Sequence, residues 1–236
     1  AKRIGLAQKP FLKGMLERLP LDHALRYELE GMEGVRKLVV NELPHETYLE
    51  LGSWYEETGL TEDAKAFFRM ALPDPEAEIR LAYLEKREPV LDGPVAGVYP
   101  FRRESLPALE AAARMSANWK AKYLLAVLKA FFRKREEALS LLNACGDTPD
   151  EAVFYVYRAR LAKDGSRYAD LMRAKDLGDD WRIGRDLIES YEADGDLGKM
   201  LEVATEYLGK YPSRNPIQIA YARALMKLAR HREAMS

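Results

Sequence analysis

Residues 45–75, HETYLELGSWYEETGLTEDAKAFFRMALPDP, constrain the fold more than any other stretch of the chain. Leu51, Gly52 and Tyr55 share one face of a helix, and Gly59 breaks it. Ala64, Phe68 and Ala71 then recur at i, i+4 and i+7, which is a second amphipathic helix. Pro73 and Pro75 end it. The small residues Gly52, Ala64 and Ala71 let two antiparallel helices approach closely, and Tyr55 and Phe68 fill the space between them. Self-similarity elsewhere in the chain then becomes the first thing to test.

The pattern recurs. Residues 181–212 carry Tyr191 and Gly195 at the same offsets and end on Pro212, with Met200 and Tyr207 where small residues are expected. Residues 119–149 supply Ala126, Ala138, Leu142 and Cys145 in that frame. Near the end, Ala222 and Ala234 are spaced as Gly52 and Ala64 are. Residues 21–44 and 150–178 are weaker copies, and FLKGMLERLP precedes them as a lone second helix. First helices are expected to start near 21, 45, 75, 118, 150, 180 and 214. Second helices are expected near 4, 32, 61, 103, 135, 165, 196 and 231. No run shows sustained strand alternation.

This pattern resembles the tetratricopeptide repeat (TPR), which places Leu-Gly, Tyr, Gly, Ala, Phe, Ala and Pro at fixed positions. In residues 45–75 all but the last match in register, and the proline falls slightly early. The resemblance implies an all-α fold: a TPR-like α-solenoid, a right-handed superhelix of antiparallel helix pairs, with residues 1–236 as one domain. The chain starts on a second helix, stops inside another and lacks a polar cap at either end. It is therefore expected to be a piece of a longer protein.

One repeat is interrupted. EPVLDGPVAGVYPFRRES holds three prolines and two glycines yet is apolar, with Val90, Leu91, Val95, Val98, Tyr99 and Phe101. Residues 88–102 read as an insertion between the two helices of a pair, and insertions in solenoids map to one face, often the binding face. The competing expectation is that Val98, Tyr99 and Phe101 plug a gap over neighbouring helices. The strings NELPHETYLELGSWYEETG, YPFRRESLPALE, WKAKYLLAVL, ACGDTPDEAVFYVYRARL and DWRIGRDLIESY are also similar to the repeat region of a family of large bacterial proteins. In that family an uncharacterised β-rich domain, reminiscent of aldose-mutarotase folds, precedes the repeats. The similarity covers nearly the whole chain. It implies a preceding partner domain, and no catalytic residue is carried over from it.

Several function classes lack support. Lys plus Arg is 37 and Asp plus Glu is 38, which gives no electrostatic case for nucleic acid or an anionic membrane. No apolar run approaches the ~18 residues of a membrane span, and the N-terminal residues lack the apolar core of a signal peptide. One cysteine permits no internal disulfide. A reduced compartment fits, with the cytoplasm favoured. His23, His45 and His231 have no metal-spaced neighbours, so no metal and no cofactor is expected. Cys145 falls at a small packing position and reads as a buried structural thiol. Glu56–Glu57 and Asp179–Asp180 read as solvated carboxylates. Phosphate loops, dinucleotide fingerprints and nucleophile elbows are absent, so no catalytic residue is assigned.

What remains is binding. In TPR superhelices the first helices line a concave groove. By the family's register the groove-facing slots here hold Lys120, Tyr123, Leu124 and Val127, then Val156, Tyr157 and Arg160, then Arg182, Arg185, Asp186 and Glu189. The candidate ligand set is Lys120, Tyr123, Tyr157, Arg160, Arg182 and Arg185, cations beside tyrosines suited to a peptide, a carboxylate or a phosphate. Leu49 and Ser53 stand where the family's clamp for chaperone tails has Lys and Asn, so that ligand is not expected. The expected function is a non-catalytic interaction scaffold for a peptide or for its own preceding domain. The alternative is an accessory module of a carbohydrate-active enzyme.

Overall fold

The structure, a computed structural model, describes residues 23–162 and 165–235. Among these residues it is all-α, with thirteen helices and no strand. The first unit contains α1 (His23–Glu30), α2 (Met32–Arg36), α3 (Pro44–Glu57), α4 (Thr61–Ala71), α5 (Pro75–Glu85) and α6 (Leu106–Met115). The second contains α7 (Trp119–Phe131), α8 (Arg135–Asn143), α9 (Ala152–Leu161), α10 (Ser166–Leu177), α11 (Trp181–Asp194), α12 (Leu197–Lys210) and α13 (Asn215–Met235). Residues 94–101 belong to the second unit, and residues 102–117 to the first. Each unit is a run of consecutive helix pairs, the TPR-like α-solenoid arrangement.

The punctuation is local chemistry. Asp74, Asn118, Asp180 and Asp196 each accept a backbone N–H in the first turn of α5, α7, α11 and α12, satisfying donors that a helix start leaves unpaired. The turns after α3 and α11 pass through Gly59 and Gly195 at φ 77° and 76°, a region glycine enters without penalty. The equivalent turn after α7 puts Arg133 there, at φ 61°.

In the first unit a Cβ on Gly52 would run into the Phe68 ring. That is the close crossing of α3 and α4 expected from their small residues. Tyr48, Leu49, Tyr55, Phe67 and Phe68 are all buried around it. Arg80 is buried too, with its guanidinium 4.8 Å from the Phe68 ring centroid. It donates to Glu56 at 2.5 Å and to Ser105 Oγ at 2.8 Å. Ser105 in turn donates to buried Glu76. Glu56, read from the sequence as a solvated carboxylate, is therefore the partner of a buried arginine.

The second unit has its own core, with Ile188, Met200, Ala204, Tyr207, Ile217, Ala220 and Ala224 buried together. Asp179 is structural here as well: it accepts from Tyr207 Oη at 2.5 Å and from Lys210 Nζ at 2.7 Å. Asp180 caps α11 and pairs with Arg182. Cys145 is buried, its Sγ 3.4 Å from the Leu141 carbonyl oxygen, and burial pushes its thiol pKa up.

Two boundaries differ from the sequence reading. Residues 103–105 form a 3₁₀ turn, and α6 begins only at Leu106, with Pro107 in its first turn. No second helix starts near 231, because α13 runs unbroken to Met235. No glycine or proline lies between Ile217 and Met235 to end it. The helix expected near residue 4 lies outside the described residues.

Candidate functional site

The insertion positions the site. No helix spans residues 86–102, and residues 94–101 pack with α7 and α9 in the second unit. Val95 has no exposed surface, and its amide donates to Glu151 Oε2 at 3.0 Å, just before α9. Pro100 is buried. Phe101 meets Phe131, at the end of α7, with ring centroids 6.2 Å apart. The plugging is thus done by Val95 and Pro100. Of the three residues expected to do it, Val98 is half-buried, and Tyr99 and Phe101 are 56% and 46% exposed.

Between this segment and helices α9 and α11 lies a cleft of about 480 Å³. It is lined by Ala96, Gly97 and Tyr99 of the segment, by Val153, Val156 and Arg160 of α9 and by Arg182 and Ile183 of α11. Its size and its apolar lining with a few polar groups are those of ligand-binding clefts. Arg160 pairs with Asp186 at 2.8 Å and keeps 44% of its side-chain surface exposed. Arg182 pairs with Asp180 at 2.8 Å, lies 4.9 Å from the Trp181 ring and is 60% exposed. Both guanidiniums therefore reach solvent with part of their donor capacity still turned outward.

Of the six residues expected from the sequence, only Arg160 and Arg182 meet in this cleft. Tyr123 requires a correction. It occupies a groove-facing slot but has no exposed surface, because it packs among Trp119, Phe154 and Tyr157 in the aromatic layer between α7 and α9. Tyr123 as it stands is therefore not a contact residue. Tyr157 is half-buried against it. Lys120 is drawn down to Glu151 at 3.1 Å. Arg185 faces a second, more polar cleft of about 320 Å³ with Arg160, Arg167, Asp186, Glu189 and Ser190. There it holds Asp186 at 2.9 Å, and that hydrogen bond, ahead of the burial opposing it, raises its pKa. Tyr99 was legible only as part of an apolar loop. Its place on the cleft wall depends on where Val95 and Phe101 anchor the segment, which no spacing rule encodes.

Among the described residues, no group of three His, Cys, Asp or Glu side chains is placed to hold a metal ion, and no helix is long and apolar enough to cross a membrane.

No protein-family model and no curated protein matches the chain. Solved structures do. A thermophilic TPR protein of Thermus thermophilus is 23% identical, with 77% of this chain and 99% of that one covered and a TM-score of 0.48. The C-terminal part of a TPR repeat-containing protein of Cytophaga hutchinsonii is 14% identical, with 90% and 92% covered and a TM-score of 0.46.

Proposed function

We propose that the chain is a protein-interaction module that holds a peptide in the cleft between residues 96–99, α9 and α11. The observation that supports this reading is the cleft itself. Apolar walls at Val153, Val156 and Ile183 would desolvate a side chain, and the outward guanidiniums of Arg160 and Arg182 would hold a carboxylate or a backbone carbonyl beside it. Arginine and tyrosine are also the residue types over-represented at binding hot spots. The reading contains no catalytic step, since no nucleophile and base converge on the cleft. A domain preceding these repeats on the same polypeptide would meet the same surface as a free peptide.

The test is a peptide selected from a displayed library against the wild-type chain. Val156→Arg, which puts a long charged side chain into the apolar lining, should weaken that peptide roughly a hundredfold, and Arg182→Ala roughly tenfold, on the scale of central interface residues. Melting temperature and helical content should stay at wild-type values. A selected peptide that binds Val156→Arg as tightly as wild type has its site elsewhere.

A further inference from the structure

The polar cleft of about 320 Å³ between α9, α10 and α11 presents a different chemistry from the apolar one beside it. Arg160, Arg167 and Arg185 all line it. Asp186, whose side chain is 7% exposed, holds two of them side by side. One of its oxygens accepts from Arg160 Nε at 2.8 Å, and the other accepts from Arg185 Nε and Nη2 at 3.1 and 2.9 Å. Three of the roughly four acceptor sites of that carboxylate are thereby used. The guanidiniums are not used up in the same way. Among the described residues, neither Nη group of Arg160 and not Nη1 of Arg185 makes a hydrogen bond. Arg167 gives its Nη2 to Tyr168, to the Ser190 carbonyl and to Asp194. Its Nε is buried and has no hydrogen-bond partner, a state that buried donors rarely keep.

Acceptors are scarcer in this cleft. Ser190 Oγ donates its proton to the Asp186 carbonyl oxygen at 2.7 Å. Glu189 lies 3.8 Å from Arg185 Nε and is 56% exposed, so it is free to turn toward water. A cleft with donors in excess is completed by an occupant that brings oxygens and negative charge. A carboxylate brings two oxygens in one plane, which is the geometry Asp186 already gives to Arg160 and Arg185. A phosphoryl group brings three strong acceptor oxygens in a tetrahedral arrangement and a charge of about −1.5 to −2 at neutral pH. One oxygen is then available to each arginine. With Glu189 turned out, its charge also matches three guanidiniums set against Asp186. Arginine forks are the side chains best shaped for such a group.

We propose that this cleft is a phosphoryl-binding subsite, in which Arg160, Arg167 and Arg185 take the oxygens and Asp186 keeps two of the guanidiniums in place. The inference goes beyond the peptide reading and does not rest on it, since Arg160 alone lines both clefts. Two sources share this chemistry: a phosphorylated side chain of a peptide and a free phosphate monoester.

The probe is inorganic phosphate, titrated into the full chain at constant ionic strength and read at the arginine Nε–H resonances by NMR. The signals of Arg167 and Arg185 should shift together and saturate with one Kd, while Arg182, which lines only the apolar cleft, keeps its position. Arg185→Ala should weaken phosphate roughly tenfold, the scale of a charge-assisted hydrogen bond. Glu189→Gln removes a competing exposed charge and should tighten phosphate roughly two- to fivefold, a gain that damage to the fold would not produce. Shifts that grow without saturating, or that chloride reproduces at the same ionic strength, mean an adventitious ion only and overturn the proposal. So does a Glu189→Gln chain that binds phosphate no more tightly than wild type, whether or not Arg185→Ala folds. The capped tripeptide Val-phosphoserine-Val separates the two sources. Binding at least roughly tenfold tighter than inorganic phosphate assigns the subsite to a phosphorylated chain, whose flanking residues add contacts, and equal affinity assigns it to a free phosphate monoester.

Discussion

Glu78 shows how one side chain fixes the path of the insertion. It projects from α5, takes Arg87 in a two-pronged ion pair and accepts the Val90 amide at 2.9 Å. Burial pushes its carboxyl pKa up, but Arg87 and the Val90 amide outweigh burial and hold it below the usual glutamate value. The sign of the linkage follows. A depressed folded pKa contributes stability that is present above the unfolded value, about 4.3, and is lost as pH falls through the folded value. Hydrogen exchange at the Val90 amide, referenced to amides inside α5, should therefore be slow near neutrality and accelerate below about pH 4. Glu78→Gln should remove most of that pH dependence. A ratio that is flat across this range in the wild-type chain would show that the carboxylate does not hold the turn. None of this was legible in sequence, where Glu78 is one charge among many on an acidic helix. The reading of Tyr123 failed at the same scale. Its register slot says nothing of the rings of Trp119, Phe154 and Tyr157 among which it is buried.

Between elements, the α11–α12 pair explains a departure that the sequence displayed and left unresolved. Aligned on Tyr55 and Tyr191, Gly52 corresponds to Ile188 and Phe68 to Ala204, while Tyr48 corresponds to Gly184 and Ala71 to Tyr207. Large and small residues have changed places at both crossings. A Cβ on Gly184 would run into the Tyr207 ring, as one on Gly52 would into Phe68. What the repeat keeps is the summed volume at each crossing, in line with the close packing of protein interiors. A motif that scores one position at a time registers Tyr207 as a mismatch and overlooks Gly184. Gly184→Ala alone should cost about 1–3 kcal/mol by overpacking. Restoring the arrangement of the first unit, Gly184→Tyr with Tyr207→Ala, should cost less than the sum of the two single changes, by about 1 kcal/mol or more. Urea midpoints of the four chains measure that coupling. Strict additivity would mean that the two residues do not share one space.

For the whole molecule, most helix starts were legible because each is set by local chemistry: a capping aspartate or asparagine, a first-turn proline, a glycine in the preceding turn. The site was legible only in part. Arg160 and Arg182, taken from the register, line the proposed cleft, but Ala96, Gly97 and Tyr99 line it too and come from more than fifty residues earlier in the chain. Helix pairs that pack mainly on their sequence neighbours also bear on how the chain opens. In such a chain stability is nearly a sum of repeat and neighbour terms, and each unit here buries its own apolar cluster. Gly52→Leu forces a side chain into Phe68 and should cost about 1–3 kcal/mol. If the opening units are local, the penalty stays where it is introduced. Amide exchange in α3 and α4 should then accelerate by the corresponding factor of roughly ten or more, while Ile217 and Ala220, buried in the second unit, keep their wild-type protection. Equal acceleration in both places would mean that the chain opens as one cooperative body, and that the two cores, although separately buried, are lost together.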